Sequence, residues 1–170
     1  HVTDTEKVWA NKTLDHLPTD MWPLIGLQLT SFPTKAYRDW PLEHFIALCD
    51  HICARYPRAH FLIFGGKHRL EKARIDALHR RFPHNTSLFA GLSLRKTAAL
   101  MDRLNLYIGV DTGPSHIMGS LHRPLLVLYH PTLHSGLYGP LGHPCFYPVD
   151  HPRAGFGATA DMPMSEIEVA

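Results

Sequence analysis

Asn105-Leu-Tyr-Ile-Gly-Val-Asp-Thr-Gly-Pro-Ser-His116 is the stretch on which the fold turns. Leu106–Val110 is a short apolar run with β-branched residues and reads as a buried strand. It ends at Asp111-Thr112-Gly113, small residues suited to a tight turn. Pro114 stands where a helix begins, because a first-turn proline has its φ preset and gives up no needed N–H. Strand, glycine-containing turn and helix N-terminus aim unpaired N–H groups and a positive dipole end at one spot, which suits a phosphate. Asp111 and His116 flank that spot. Taken alone, the spacing favours an ordinary strand-to-helix connection in which Asp111 or Thr112 only caps, since such turns are common in α/β folds.

Outward from this turn the alternation repeats. Residues 24–30 read as the first strand, after a polar start with a helix near 5–14 anchored by Val8, Trp9 and Leu14. The following loop, Ser31 to Trp40, is too long for a simple turn. It places Thr30 and Ser31 at the strand's carboxyl end, with Lys35 and Arg38 a few residues on. Hydroxyls and a flexible cation there suit an anionic ligand, because open α/β sheets bind ligands in that crevice. The plain alternative is a solvated surface loop. Pro41 opens a helix whose stripe is Leu42, Phe45, Ile46, Cys49, Ile52, Cys53 and Tyr56, closed by Pro57. A strand over 60–64 ends in Gly65-Gly66. A helix over 68–82 turns Leu70, Ile75, Leu78 and Phe82 inward, and 87–89 is a brief strand. Ser93 caps a helix running to about Leu104; after the central turn come a short helix to about His122 and a strand over 124–129.

Strand and helix thus alternate about five times at the spacing of right-handed βαβ units, which predicts an α/β fold: a Rossmann-like, doubly wound parallel sheet. Residues 130–148 read as loop, dense in Gly, Pro and His, and as a binding excursion more than a linker. The expected division is an N-terminal helix and linker over 1–21, one nucleotide-binding domain over 22–160, and a tail or helix start over 161–170.

Composition bounds the chemistry. The 170 residues, 45% hydrophobic and 19% charged, fit one globular domain. A formal charge of +2 gives no electrostatic footprint for nucleic acid. The 14 histidines make the chain cationic below about pH 6.5, the ordinary imidazole pKa. No apolar run approaches the roughly 20 residues that span a bilayer. The chain starts at His1 and reads as a fragment of a longer protein. Cys49, Cys53 and Cys145 give no disulfide framework, and the first two fall on an apolar helix face, which favours a reducing compartment. His130, His134, His143 and His151 are spaced too irregularly for a metal site and read as solvated or structural.

Several segments together resemble the lipopolysaccharide heptosyltransferases, glycosyltransferase family nine. Asp111-Thr-Gly-Pro-Ser-His116 resembles that family's Asp-Thr-Gly-x-x-His signature. Phe89-Ala-Gly-Leu-Ser-Leu94 is similar to its lead-in to the preceding helix. Arg123-Pro-Leu-Leu-Val-Leu-Tyr129 with His-Pro-Thr132 is similar to its next strand and loop. Leu137-Tyr-Gly-Pro140 and the loop ending in Trp40-Pro41 also match, in the same order. The resemblance runs from about Leu24 to Pro148.

The resemblance implies the C-terminal, donor-binding half of a GT-B enzyme. Asp111, Thr112 and Gly113 would line the sugar-diphosphate site, with His116 near sugar or phosphates. Thr30 and Ser31 would hydrogen-bond the diphosphate, and Lys35 and Arg38 compete to neutralise it. Gly91 and Leu92 would lie against the base. The family's acidic ribose contact has only a displaced counterpart in Glu71, with Gly65 and Lys67 nearer the turn. The implied reaction is inverting transfer from a nucleotide-sugar, ADP-heptose in most relatives, to the lipopolysaccharide inner core. No Asp-x-Asp metal motif is present, so no cofactor is expected. The catalytic base and the acceptor contacts would belong to an N-terminal domain, and this polypeptide alone is expected to be inactive. The implied setting is cytoplasmic, with the full-length protein peripheral to the inner face of the inner membrane. Two rivals keep the fold: a non-catalytic nucleotide-binding module, and a GT-B nucleotide-sugar 2-epimerase domain. Against the epimerase, its paired acidic and serine-rich turns are not seen.

Overall fold

The structure, a computed structural model, describes residues 1–169. Six parallel strands stand in the order β3-β2-β1-β4-β5-β6. They are β1 (Leu24–Gln28), β2 (His60–Gly65), β3 (Thr86–Ala90), β4 (Leu106–Val110), β5 (Leu125–Tyr129) and β6 (Phe146–Asp150). The order reverses between β1 and β4, which pair in register from Ile25↔Leu106 to Gln28↔Gly109. A crevice opens at the carboxyl ends of strands where the winding changes direction, so topology alone places a ligand site above this pair.

Strand alternation sends residues to two cores. Ile25, Leu27, Leu29, Phe61, Ile63, Ile108 and Val110 face one layer, where α2 (Leu42–Arg55) and α3 (Arg69–Arg81) bring Phe45, Cys49, Ile75 and Leu78. Leu62, Phe64, Tyr107, Leu125, Val127 and Tyr129 face the other. That layer is covered by α1 (Asp4–Leu14), α4 (Leu94–Met101) and α5 (Gly113–Ser120). Gly26 lets the layers close: a Cβ there would stand 2.4 Å from Leu104 Cδ1. Residues outside 22–160 add to both cores, Val2 and Ala10 to one, Met164 and Ile167 to the other. Trp40 Nε1 also donates to the Ile167 carbonyl at 2.7 Å. No helix is long and apolar enough to cross a membrane among the described residues.

The structure corrects several expectations. The stretch 130–148 is not all loop: it holds α6 (Ser135–Tyr138) and the start of β6, which pairs with β5. Pro148 and the polar flanks hide β6, yet an edge strand with one side unpaired accommodates a proline. Leu70 points out, 60% exposed, because five residues before Ile75 is about 140° round the helix. Val8 is likewise exposed, and Ala10 is the buried anchor of α1. The first strand ends at Gln28 rather than residue 30, and α4 ends at Met101 rather than 104. The tail forms only a short 3-10 turn, Met164–Glu166.

Candidate functional site

The carboxyl edge over β1 and β4 carries a groove in two connected lobes. The first lobe, a 490 Å³ cavity, is bounded by Gln28, Phe64, Gly65, Gly66, Lys67, Glu71 and Leu92. The second lobe, 410 Å³, is bounded by Lys35, Arg38, Asp111, His116, Leu133 and Tyr138. Ser31, Phe32, Thr112 and Gly113 line both, so the Asp111–Gly113 turn is the saddle between them. Every residue singled out in the sequence thus borders the groove except Gly91, which lies one residue from Leu92 and beneath Lys67.

The first lobe is shaped by glycine. Gly91 has φ +71°, and a Cβ there would meet the Lys67 stem at 2.7 Å. Its N–H donates to the Gly65 carbonyl at 2.8 Å, tying the ends of β2 and β3 together. Gly65 and Gly66 leave room for Glu71, whose Oε2 would stand 2.6 Å from a Cβ on Gly66. Glu71, displaced in sequence, is therefore brought back to the end of β2 by the first turn of α3. Its Oε1 accepts from Thr30 Oγ1 at 2.8 Å. Phe32, Pro33, Phe64, Leu92 and Leu94 make this lobe largely apolar, which suits a planar heterocycle.

The second lobe is shaped by charge. Asp111 follows β4, its side chain 7% exposed, with Oδ1 3.4 Å from His116 Nε2. That separation is ion-pair range, yet Oδ1 has no hydrogen-bond donor. Burial raises the Asp111 carboxyl above its ordinary pKa, while His116 and Arg38 pull it back. Ser115 fixes the turn: its Oγ accepts from Thr112 N–H at 3.2 Å and donates to the Thr112 carbonyl at 2.7 Å. Pro114 occupies the first turn of α5, so the Gly113 N–H belongs to the helix's unsatisfied donors.

Thr30 and Ser31 line the groove, but their hydroxyl hydrogens are engaged elsewhere. Thr30 serves Glu71, and Ser31 Oγ lies 2.6 Å from the Lys35 carbonyl and 2.7 Å from Asp39 Oδ1. Among the donors that border the second lobe are the Lys35 and Arg38 heads. Neither cation forms an ion pair among the described residues. No group of three or more His, Cys, Asp or Glu residues is placed to hold a metal among the described residues.

Sequence reasoning missed Gln28, Phe32 and Tyr138. Gln28 is 4% exposed and its Oε1 is buried without a donor. A polar residue closing an apolar strand was the one available signal for it. Phe32 sits in a loop and Tyr138 ends the four-residue α6, segments too short for periodicity to carry information.

The family model described as glycosyltransferase family 9 (heptosyltransferase) matches residues 10–144. Lipopolysaccharide heptosyltransferase 1 of Escherichia coli strain K12 is 31% identical over 134 residues, covering 78% of this chain and 40% of that protein. A glycosyl transferase family 9 structure from Veillonella parvula superposes with TM-score 0.74 at 25% identity, over 88% of this chain and 41% of that one. The E. coli heptosyltransferase WaaC with ADP gives TM-score 0.68 at 25% identity, over 89% and 45%. E. coli ADP-heptose lps heptosyltransferase II, 17% identical with TM-score 0.71, shares the fold. The chain spans about two-fifths of the length of the curated relative it matches over 134 residues. The turn, the sheet order and these matches agree: the chain belongs to glycosyltransferase family 9, the heptosyltransferase family.

Proposed function

We propose that this chain is the donor-binding domain of a heptosyltransferase and holds a nucleoside diphosphate sugar, ADP-heptose, for inverting transfer to the lipopolysaccharide inner core. The observation that carries this reading is the two-lobed groove at the switch point, apolar at one end and cationic at the other, with the glycine turn between. Two solved WaaC complexes support it, one with ADP and one with ADP-2-deoxy-2-fluoro heptose.

In this reading the base lies between Phe32 and Leu92, the ribose reaches Glu71, and the diphosphate crosses the turn at Gly113. Lys35 and Arg38 take up the negative charge that grows on the leaving oxygen; such preorganised stabilisation substitutes for a metal ion. Asp111 suits the sugar rather than the phosphates, because a buried carboxylate repels a phosphate but accepts from a sugar hydroxyl. The base that activates the acceptor lies in the part of the protein outside this chain, so the chain alone binds donor and does not turn over.

Calorimetric titration with ADP, ADP-heptose and then UDP tests the reading, with Asp111→Asn alongside. ADP preference, with the variant losing affinity for ADP-heptose more than for ADP, supports it. UDP preference moves the donor away from ADP-heptose. No binding to either nucleotide, or heptosyl transfer by this chain alone, overturns it in this form.

A further inference from the structure

Both cations of the second lobe ride on one 3-10 segment, Pro33–Arg38, kinked at Lys35 with φ −125°. No carboxylate forms an ion pair with either; Asp111 in the same cavity attracts Arg38 at longer range, while the two like charges repel each other. What both cations touch is one aromatic ring. Lys35 Nζ lies 5.9 Å and Arg38 Cζ 5.5 Å from the centroid of Tyr37, both within cation–π range. The Tyr37 ring is braced edge-on by His130, centroids 5.0 Å apart at 79°. His130 is 1% exposed and fixed from both sides: Nδ1 accepts from Thr132 N–H at 3.3 Å, and Nε2 lies 3.2 Å from the Met162 carbonyl. The segment is also closed at its base, where Asp39 Oδ1 accepts from Ser31 N–H at 2.6 Å. Arg38 Nε is buried without a partner, so its guanidinium has hydrogen-bonding capacity to spare.

We propose that Tyr37 is a positioning residue: its ring, braced by His130, holds Lys35 and Arg38 together so that both act on one ligand carrying two adjacent phosphates. Which of the two cations meets the phosphate is then not a choice between them. The inference rests on the donor-site reading for the nucleotide, but the diphosphate specificity it assigns belongs to the loop itself and is testable without any nucleoside.

The test is titration of the chain with inorganic pyrophosphate and with orthophosphate, followed by NMR shifts of the Lys35 and Arg38 amides. Wild type, Tyr37→Phe and Tyr37→Leu are compared, and melting temperatures are recorded in parallel. Wild type is expected to favour pyrophosphate. Tyr37→Phe, which keeps the ring, is expected to stay within about twofold, and Tyr37→Leu to weaken pyrophosphate by about fivefold to tenfold with little effect on orthophosphate. Equal pyrophosphate affinity in wild type and Tyr37→Leu overturns the proposal, as does wild type with no preference for pyrophosphate. A purely structural role shifts melting and leaves the pyrophosphate-to-orthophosphate ratio unmoved, which also overturns it. ADP and adenosine titrated separately keep the two readings apart: pyrophosphate bound through Tyr37 with no ADP binding removes the donor-site reading and leaves this one standing.

Discussion

The two edges of the sheet both carry cavities and cations, and they treat them oppositely. At the amino edge, a 550 Å³ hollow is lined by Lys7, Asp102, Arg103, His122 and Arg123 among others. Part of its charge is paired: Arg123 lies 3.3 Å from Asp102 within the lining, and Lys7 lies 3.3 Å from Asp4 beside it. At the carboxyl edge the cavities are smaller, yet Lys35 and Arg38 are unpaired among the described residues, and Gln28 Oε1 and Asp111 Oδ1 are buried without a donor. An unpaired buried polar atom costs about 1–3 kcal/mol. The carboxyl-edge groove gathers two such acceptors beside two unpaired cations, a combination that the residues lining the amino-edge hollow do not show among the described residues.

The sharpest way to break this contrast is to remove the carboxyl-edge cations. The double change Lys35→Ala with Arg38→Ala is expected to weaken ADP by about a hundredfold, from about 1.5–3 kcal/mol per charged hydrogen bond lost, less compensation by water. Arg103→Ala at the amino edge is expected to stay within about twofold in the same calorimetric titration. Equal losses at the two edges would erase the distinction.

The amino edge serves stability, and pH exposes it. His60 opens β2, 3% exposed, with Nε2 2.9 Å from Ser87 Oγ and Nδ1 unpartnered. Burial lowers its pKa to about 4 from 6.5. The unfolded chain therefore takes up a proton first, and stability falls as pH drops from about 6.5 toward 4, by on the order of 2–3 kcal/mol. Asp39 and Asp111, both raised by burial, act in the opposite sense, since the folded state holds their protons more readily. Urea unfolding of wild type and His60→Gln across this range is expected to show a shallower acid loss in the variant.

Glycines separate shape from ligand contact. Gly91→Ala forces a side chain to positive φ against Lys67 and is expected to destabilise the fold by about 1–2 kcal/mol in urea unfolding. Gly113→Ala meets no atom within 4 Å. It is expected to leave melting unchanged while weakening ADP by about threefold to tenfold, because only an arriving phosphate approaches that Cβ.

Much of this was legible in the sequence for physical reasons. The apolar runs of β1, β2, β4 and β5 are buried on both faces, so their residues declare themselves without ambiguity. The turn at Asp111–Gly113 is local chemistry, and every residue needed to read it is contiguous. β6 was not legible, because an edge strand needs neither a continuous apolar run nor freedom from proline. Glu71 stood several residues from where a ribose contact was expected, and only the turn of α3 returns it to the groove. The engaged hydroxyls of Thr30 and Ser31 were illegible for another reason: their partners, Glu71 and Asp39, lie 41 and 8 residues away. Side-chain pairings at such separations leave no periodic trace.

The most direct measurement is NMR mapping of ADP on the isotopically labelled chain. The expected result is saturable shifts at the amides of Gly65, Gly91 and Gly113, along the groove, with Arg103 and Arg123 at the amino edge unmoved. Shifts centred on the amino-edge hollow, or no saturable shifts at the three glycines, would contradict the placement of the nucleotide at the switch point.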